Sequence, residues 1–304
     1  MLTKSAEGLS RSTLADYRGS VQKLSVWLEG QGLAGVAVDQ LTTLHLRRFL
    51  ADLQHRDPPL APKTIRNVYT FLSSFWSWLG VEFGFPHILR GAIRPPRANP
   101  PAMRLPTQEE LERLLRACEW SREAHTVGRE PFRMRRPTAR RDVAILLTLV
   151  DTGLRAQELC RLTLADLDKN DGSLLVRFGK GRKQRIAYLG KRARRALWRY
   201  LATDRQGAKP DEALFMGLGG RPLTVSGLSQ LVRKLGRRVG VKVSPHMLRH
   251  VFATEFLRGG GSTLVLRRLL GHASDGLLAR YAEIAEVDLK AAHDAASPVD
   301  RLRL

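Results

Sequence analysis

The chain has 304 residues, 43% of them hydrophobic, which is room for two domains with a core each. Fifty-one Lys and Arg against 29 Asp and Glu leave a net charge of +22, a field that attracts a polyanion and makes nucleic acid the leading partner. A membrane is disfavoured, because no apolar run approaches the roughly 18 residues of a spanning helix and the basic residues are not gathered on one amphipathic segment. The first residues, MLTKSAEGLS, lack the apolar core of a signal peptide. Cys118 and Cys160 each sit in leucine-rich helical pattern, so no disulfide framework is expected and the chain reads as cytoplasmic.

From Ser12 onward, Leu14, Tyr17, Val21, Leu24 and Leu28 recur at helical steps, and Gly30 and Gly32 end the run. A second helix is predicted after Thr42, with Leu46, Phe49, Leu50 and Leu53 on one side, and Asp57-Pro58-Pro59 stops it. The third, from about Pro62 to Leu79, turns Ile65, Val68, Tyr69, Leu72, Phe75, Trp76 and Leu79 inward. Its opposite side shows Lys63 and Arg66, where backbone phosphate would dock. Residues 1–90 therefore read as a small helical bundle without a reactive constellation.

Residues 91–106, GAIRPPRANPPAMRLP, hold five prolines in sixteen positions, which suits neither a helix nor a central strand. The stretch is expected to be a semi-extended linker, made basic by Arg94, Arg97 and Arg104. A second domain, residues 107–304, opens on the capping box Thr107-Gln108-Glu109-Glu110 ahead of Leu111, Leu114, Leu115 and Cys118. Residues 121–141 are dense in arginine and lack periodicity, and are expected to form a DNA-contacting loop, with a disordered stretch as the alternative. An apolar helix from Val143 to Val150 then leads to the Gly153 turn and to Arg155, predicted just inside the next helix. Glu158 follows one turn on, in reach of a guanidinium. Ser173 to Phe178 and Arg185 to Leu189 read as two strands joined by a hairpin in which Gly179 and Gly181 flank Lys180 and precede Arg182 and Lys183. A basic helix, KRARRALWR, covers residues 191–199. A further helix after Thr224 buries Leu228, Leu231, Val232 and Leu235 and shows Arg233, Lys234, Arg237 and Arg238.

The stretch from Ser244 to Tyr281 carries the chemistry. Ser244 caps a helix that Pro245 begins, and His246 and Arg249 project from one face of it. After the Gly259-Gly260-Gly261 break, a helix from about Ser262 to Leu270 stops at Gly271 and leaves His272 on the exit turn. Tyr281 follows, with an acidic and apolar helical tail behind it. Cations that hold a phosphate, an imidazole that moves a proton and a phenol that attacks would suit phosphodiester chemistry. His246 and His250 lack the intervening carboxylate of a metalloprotease helix, so no zinc site is expected.

Taken together, TGLR-x-x-EL at Arg155, the Gly-Lys-Gly hairpin at Lys180, H-x-x-R-H at His246, LLGH at His272 and Tyr281 resemble the tyrosine recombinase (lambda-integrase) family, in particular its Xer-like members. The resemblance implies a mainly α fold with a small antiparallel β-sheet. It also implies a core-binding domain and a catalytic domain that close on DNA as a C-shaped clamp. It assigns Tyr281 as nucleophile, Arg155 and Arg249 as the phosphate grip, His246 as candidate base, Lys180 as candidate acid with Lys183 as runner-up, and His272 as a hydrogen-bond donor to the phosphate. No metal or other cofactor is implied. The partner it implies is double-stranded DNA, bound by a homo- or hetero-tetramer on two duplexes joined through exchange of the C-terminal helix. DNA contacts are expected at Lys63, Arg66, Arg94, Arg97, Arg182, Lys183, Arg233 and Lys234. The sequence departs from the family at Leu277-Leu278, where threonines are common, and at Glu283, where a histidine is. A type IB topoisomerase and a non-catalytic DNA-binding protein of the same fold are the alternatives.

Overall fold

The computed structural model describes residues 6–97, 104–125, 130–177, 184–271 and 275–285. The chain divides into two compact units, Met1–Met103 and Arg104–Leu304. The described residues are mainly helical, with one two-stranded antiparallel sheet.

Three long helices build the first unit: α1 (Arg11–Gly30), α2 (Thr43–His55) and α3 (Pro62–Phe83). Each starts where side-chain chemistry supplies the missing partner or needs none. Ser10 accepts from the Thr13 amide, Thr42 forms a reciprocal box with His45, and Pro62 occupies the first turn of α3, where its absent N–H costs nothing. The faces read from periodicity meet in one core: Leu24 and Leu28 of α1, Leu46, Phe49, Leu50 and Leu53 of α2, and Ile65, Val68, Tyr69, Leu72, Trp76 and Leu79 of α3. Phe75 is only half-buried and stacks on Trp78. Polar ties set the register between elements, with Trp27 Nε1 donating to Asp52 at 2.7 Å and the Tyr69 hydroxyl donating to the Ile93 carbonyl at 2.8 Å. Lys63, Arg66, Arg94 and Arg97 are all exposed.

The second unit is organised around α5 (Ala139–Thr152), against which α4 (Gln108–Glu119), α7 (Lys191–Asp204) and α9 (Pro245–Arg258) pack. Its sequence is apolar nearly all round because neighbours cover it on several sides; Ala144, Ile145, Leu146 and Leu149 are fully enclosed. The short α6 (Ala156–Arg161), the strands β1 (Ser173–Val176) and β2 (Arg185–Tyr188), and the helices α8 (Val225–Arg238), α10 (Thr263–Leu270) and α11 (Asp275–Ala285) complete it. The strands pair antiparallel from Ser173 opposite Tyr188 to Val176 opposite Arg185. In α8, Leu228, Val232 and Leu235 are buried and Leu231 half-buried, while Arg233, Lys234 and Arg237 face solvent.

The arginine-rich stretch differs from a plain loop. Trp120 pairs with Arg135 and Ala124 with Phe132 in antiparallel bridges, which makes an irregular hairpin. Its arginines are largely committed within the protein. Arg136 and Arg141 both pair with the fully buried Asp142, at 2.9 and 2.8 Å, Arg140 pairs with Asp204, and Arg133 with Glu123. An unpaired carboxylate at the Asp142 position would be untenable, so these guanidiniums are required by the fold. Arg238 of α8 likewise turns inward and donates to the carbonyls of Ala117 and Trp120 at 2.7 and 2.5 Å. Both cysteines are free thiols, and no described helix is long and apolar enough to cross a membrane.

Candidate active site

Three helix ends converge where α5, α9 and α10 meet. Gly153 terminates α5 in the left-handed region (φ 59°), and an added Cβ there would lie 2.3 Å from the Phe252 ring. The tight turn places Arg155 as the N-cap of α6, one position outside the helix rather than just inside it. Its Nη1 donates to Glu158 at 2.8 Å and its Nη2 to the Gly271 carbonyl at 3.2 Å, which leaves the side chain about a third exposed.

Ser244 caps α9 through the Met247 amide and Pro245 opens it, as the sequence indicates. Arg249, one turn further, is 5% exposed. It donates to the Gly153 carbonyl at 2.6 Å and the Leu270 carbonyl at 2.8 Å. The Leu270 carbonyl also lies 3.5 Å from Nη1 of Arg155, so the end of α10 aligns both guanidiniums. Burial first, and the charge of Arg155 second, lower the Arg249 pKa to about 10, still well above neutral. Two cations held this close are predisposed to receive an anion that offsets their repulsion.

Glu158 joins the site to the sheet. Its carboxylate is 4% exposed and receives Nη1 and Nη2 of Arg185 from β2 at 2.9 and 2.8 Å, in addition to the Arg155 contacts. Arg185 also donates through Nε to the Leu269 carbonyl at 2.8 Å. Burial opposes ionisation of Glu158, yet the paired guanidiniums outweigh it and hold the carboxyl below its usual pKa. From the sequence Arg185 is expected only as the start of a strand. It is the second partner of the carboxylate that fixes Arg155.

Tyr281 lies on α11 and is 1% exposed. Its hydroxyl is 2.5 Å from Nδ1 of His250, not of His246. His246 is exposed, and its ring meets that of His250 edge-on with centroids 4.3 Å apart. Burial raises the Tyr281 phenol pKa against the opposing effects of Arg249 and Arg280. Burial, with His246, Arg249 and Arg280, lowers His250 to about 4. In the sequence His250 stands only as the last residue of the H-x-x-R-H motif and as a poor zinc ligand, with no role of its own. Its signal is an imidazole directly ahead of the apolar run Val251–Phe252–Ala253, where a buried polar ring requires a partner.

Arg155, Arg249 and His246 are thus gathered with Tyr281 in the same unit. Lys180, Arg182, Lys183 and His272 lie outside the described residues, as does the helical tail after Ala285. Among the described residues there is no cluster of three or more His, Cys, Asp or Glu able to hold a metal.

Two guanidiniums held together in the unit that carries a buried tyrosine form an arrangement suited to phosphodiester chemistry. The profile of the phage integrase family matches residues 105–287, and that of the phage integrase N-terminal SAM-like domain matches residues 1–81. The chain belongs to the phage integrase family, and within it is a Xer-like tyrosine recombinase, an enzyme of site-specific recombination. It is similar to the tyrosine recombinase XerC of Pseudomonas aeruginosa (strain LESB58), 31% identical over 296 residues that cover 97% of this chain and 91% of that protein. To the tyrosine recombinase XerD of Proteus mirabilis it is 32% identical over 302 residues, 96% of this chain and 89% of the other. The fold matches that of the XerH site-specific recombinase bound to a palindromic difH substrate in a post-cleavage complex. The TM-score is 0.69 at 22% identity, over 98% of this chain and 83% of that one.

Proposed function

We propose that this protein breaks and rejoins double-stranded DNA at specific sites through a 3′-phosphotyrosyl intermediate, with Tyr281 as nucleophile. The convergence of Arg155 and Arg249 on the Leu270 carbonyl, in the unit that carries Tyr281, is the observation that supports it most directly. The two guanidiniums bind the non-bridging oxygens of the scissile phosphate and offset the charge that develops on phosphorus. Tyr281 forms the new P–O bond as the bond to the 5′ oxygen breaks. The phenol proton passes to His246, and Lys180 supplies a proton to the departing 5′ oxygen. His272 donates a hydrogen bond to the same phosphate. A 5′-hydroxyl of the partner strand then attacks the adduct and releases Tyr281. The phosphodiester energy is conserved in the phosphotyrosine, so the cycle consumes no ATP, and the guanidiniums supply the charge stabilisation for which other enzymes use a metal.

Residues 1–90 act as the core-binding domain and 107–304 as the catalytic domain, joined by the proline-rich stretch between them. Lys63, Arg66, Arg94, Arg97, Arg182, Lys183, Arg233 and Lys234 contact DNA in this reading; the six of these that lie among the described residues are exposed. The working assembly is a tetramer on two duplexes, linked by exchange of the C-terminal helix, in the cytoplasm. A plasmid that carries two copies of a DNA site selected by binding to this protein tests strand exchange. Excision or inversion between the sites is expected. Relaxation of supercoils without recombinant product would instead mark a topoisomerase.

A further inference from the structure

Tyr281 cannot meet a DNA phosphate where it stands, because it is 1% exposed and sits under α9. Something must hold a polar phenol in that position. Among the described residues, the side chain in hydrogen-bond contact with its hydroxyl is His250, at 2.5 Å through Nδ1. The two rings are tilted by 55° with centroids 5.5 Å apart, so the contact is edge-directed, as a hydrogen bond requires, rather than a stack. Two turns further along α9, Arg258 donates to the Ile284 carbonyl of α11 at 3.2 Å. The helix that carries the tyrosine is therefore tied to α9 near both residues.

We propose that His250 is the positioning residue of the nucleophile: its Nδ1 accepts the Tyr281 hydroxyl hydrogen and stores the phenol inside the catalytic unit until α11 shifts toward bound DNA. The proposal rests on Tyr281 being the nucleophile. The charged and titratable groups around the imidazole are His246, Arg249 and Arg280, together with Tyr281 itself. The three basic groups disfavour a second proton on His250, so the ring stays neutral and remains an acceptor throughout the neutral range. The phenol, kept protonated by burial, is the donor.

Nitration by tetranitromethane in the absence of DNA, mapped by mass spectrometry, reads the position of Tyr281 directly. Tyr200, also 1% exposed and placed away from the site, reports whether the fold is intact. Wild type should protect both tyrosines, with no change in Tyr281 protection between about pH 6 and 8. His250→Ala should nitrate Tyr281 roughly tenfold faster, the population shift expected when a buried hydroxyl loses its partner, while Tyr200 stays protected. His250→Asn, whose amide oxygen can occupy the place of Nδ1, should restore most of the protection. The released phenol should also give a faster burst of covalent adduct on nicked DNA with His250→Ala. Continued protection of Tyr281 in His250→Ala would overturn the proposal, since packing alone would then hold the residue. So would exposure in His250→Asn with Tyr200 intact. Loss of adduct in Tyr281→Phe is a separate observation; were the adduct to persist there, the nucleophile would lie elsewhere while the nitration result still reported the contact.

Discussion

Glu158 shows how much of this site is set by a buried residue. Its buried carboxylate satisfies Arg155 and Arg185 at once, and removing that charge leaves two guanidiniums facing each other with Arg185 only 8% exposed. Glu158→Gln should cost about 3–5 kcal/mol in urea unfolding, the range for breaking a buried pair. The lowered carboxyl pKa gives the interaction a sign with pH. Its stabilisation is complete above the ordinary carboxylate range and fades as pH falls through the lowered value, so the variant should lose part of the acid limb of the stability curve. Arg249 belongs to the same scale. Its two carbonyl partners lie at Gly153 and Leu270, a fork that a lysine ammonium cannot reproduce. Arg249→Lys should cut the rate of covalent adduct formation by roughly a hundredfold or more, with single-turnover kinetics as the readout.

At the scale of elements, Gly153 and Gly236 separate geometry of the site from stability of the unit. Gly153→Ala forces a side chain into the left-handed region and against Phe252, which costs about 1–3 kcal/mol from the backbone alone. It also displaces the carbonyl that holds Arg249, so stability and adduct rate should fall together. In Gly236→Ala the new Cβ would come within 2.3 Å of the Val241 carbonyl oxygen at the end of α8, away from the guanidiniums. The melting temperature should fall while the adduct rate per folded molecule is kept. The helices themselves were legible because each carries its own period and its own cap: Ser244-Pro245, Thr107 with Glu110, and the Leu46–Leu53 face needed no distant partner to be recognised. Legibility ended where partners are remote in sequence. The arginines of 121–141 read as a DNA-facing run because nothing local revealed that Asp142, Asp204 and Glu123 already pair with four of them. Spacing put His246 beside Arg249 on one face, but could not show that the next residue, His250, is the one that reaches Tyr281 on α11.

At the scale of the whole molecule, the two units bury separate sets of apolar side chains, Leu24 to Leu89 in one and Leu114 to Leu248 in the other. Residues 104–304 alone should therefore unfold in a single cooperative transition. The net charge of +22 predicts binding that weakens steeply with salt. About six to ten phosphate contacts would lower affinity by some 10³–10⁵ between roughly 50 and 200 mM salt. The isolated second unit should show a shallower slope, because the contacts proposed for Lys63, Arg66, Arg94 and Arg97 are gone. The central claim is that Tyr281 attacks DNA, and a nicked duplex that cannot religate tests it most directly. The duplex is built from DNA selected by binding to this protein, and wild type and Tyr281→Phe are compared on a denaturing gel with EDTA present. A 3′-linked covalent adduct with wild type alone is the predicted result. Adduct from both proteins, or tight binding by wild type with no adduct, would contradict it.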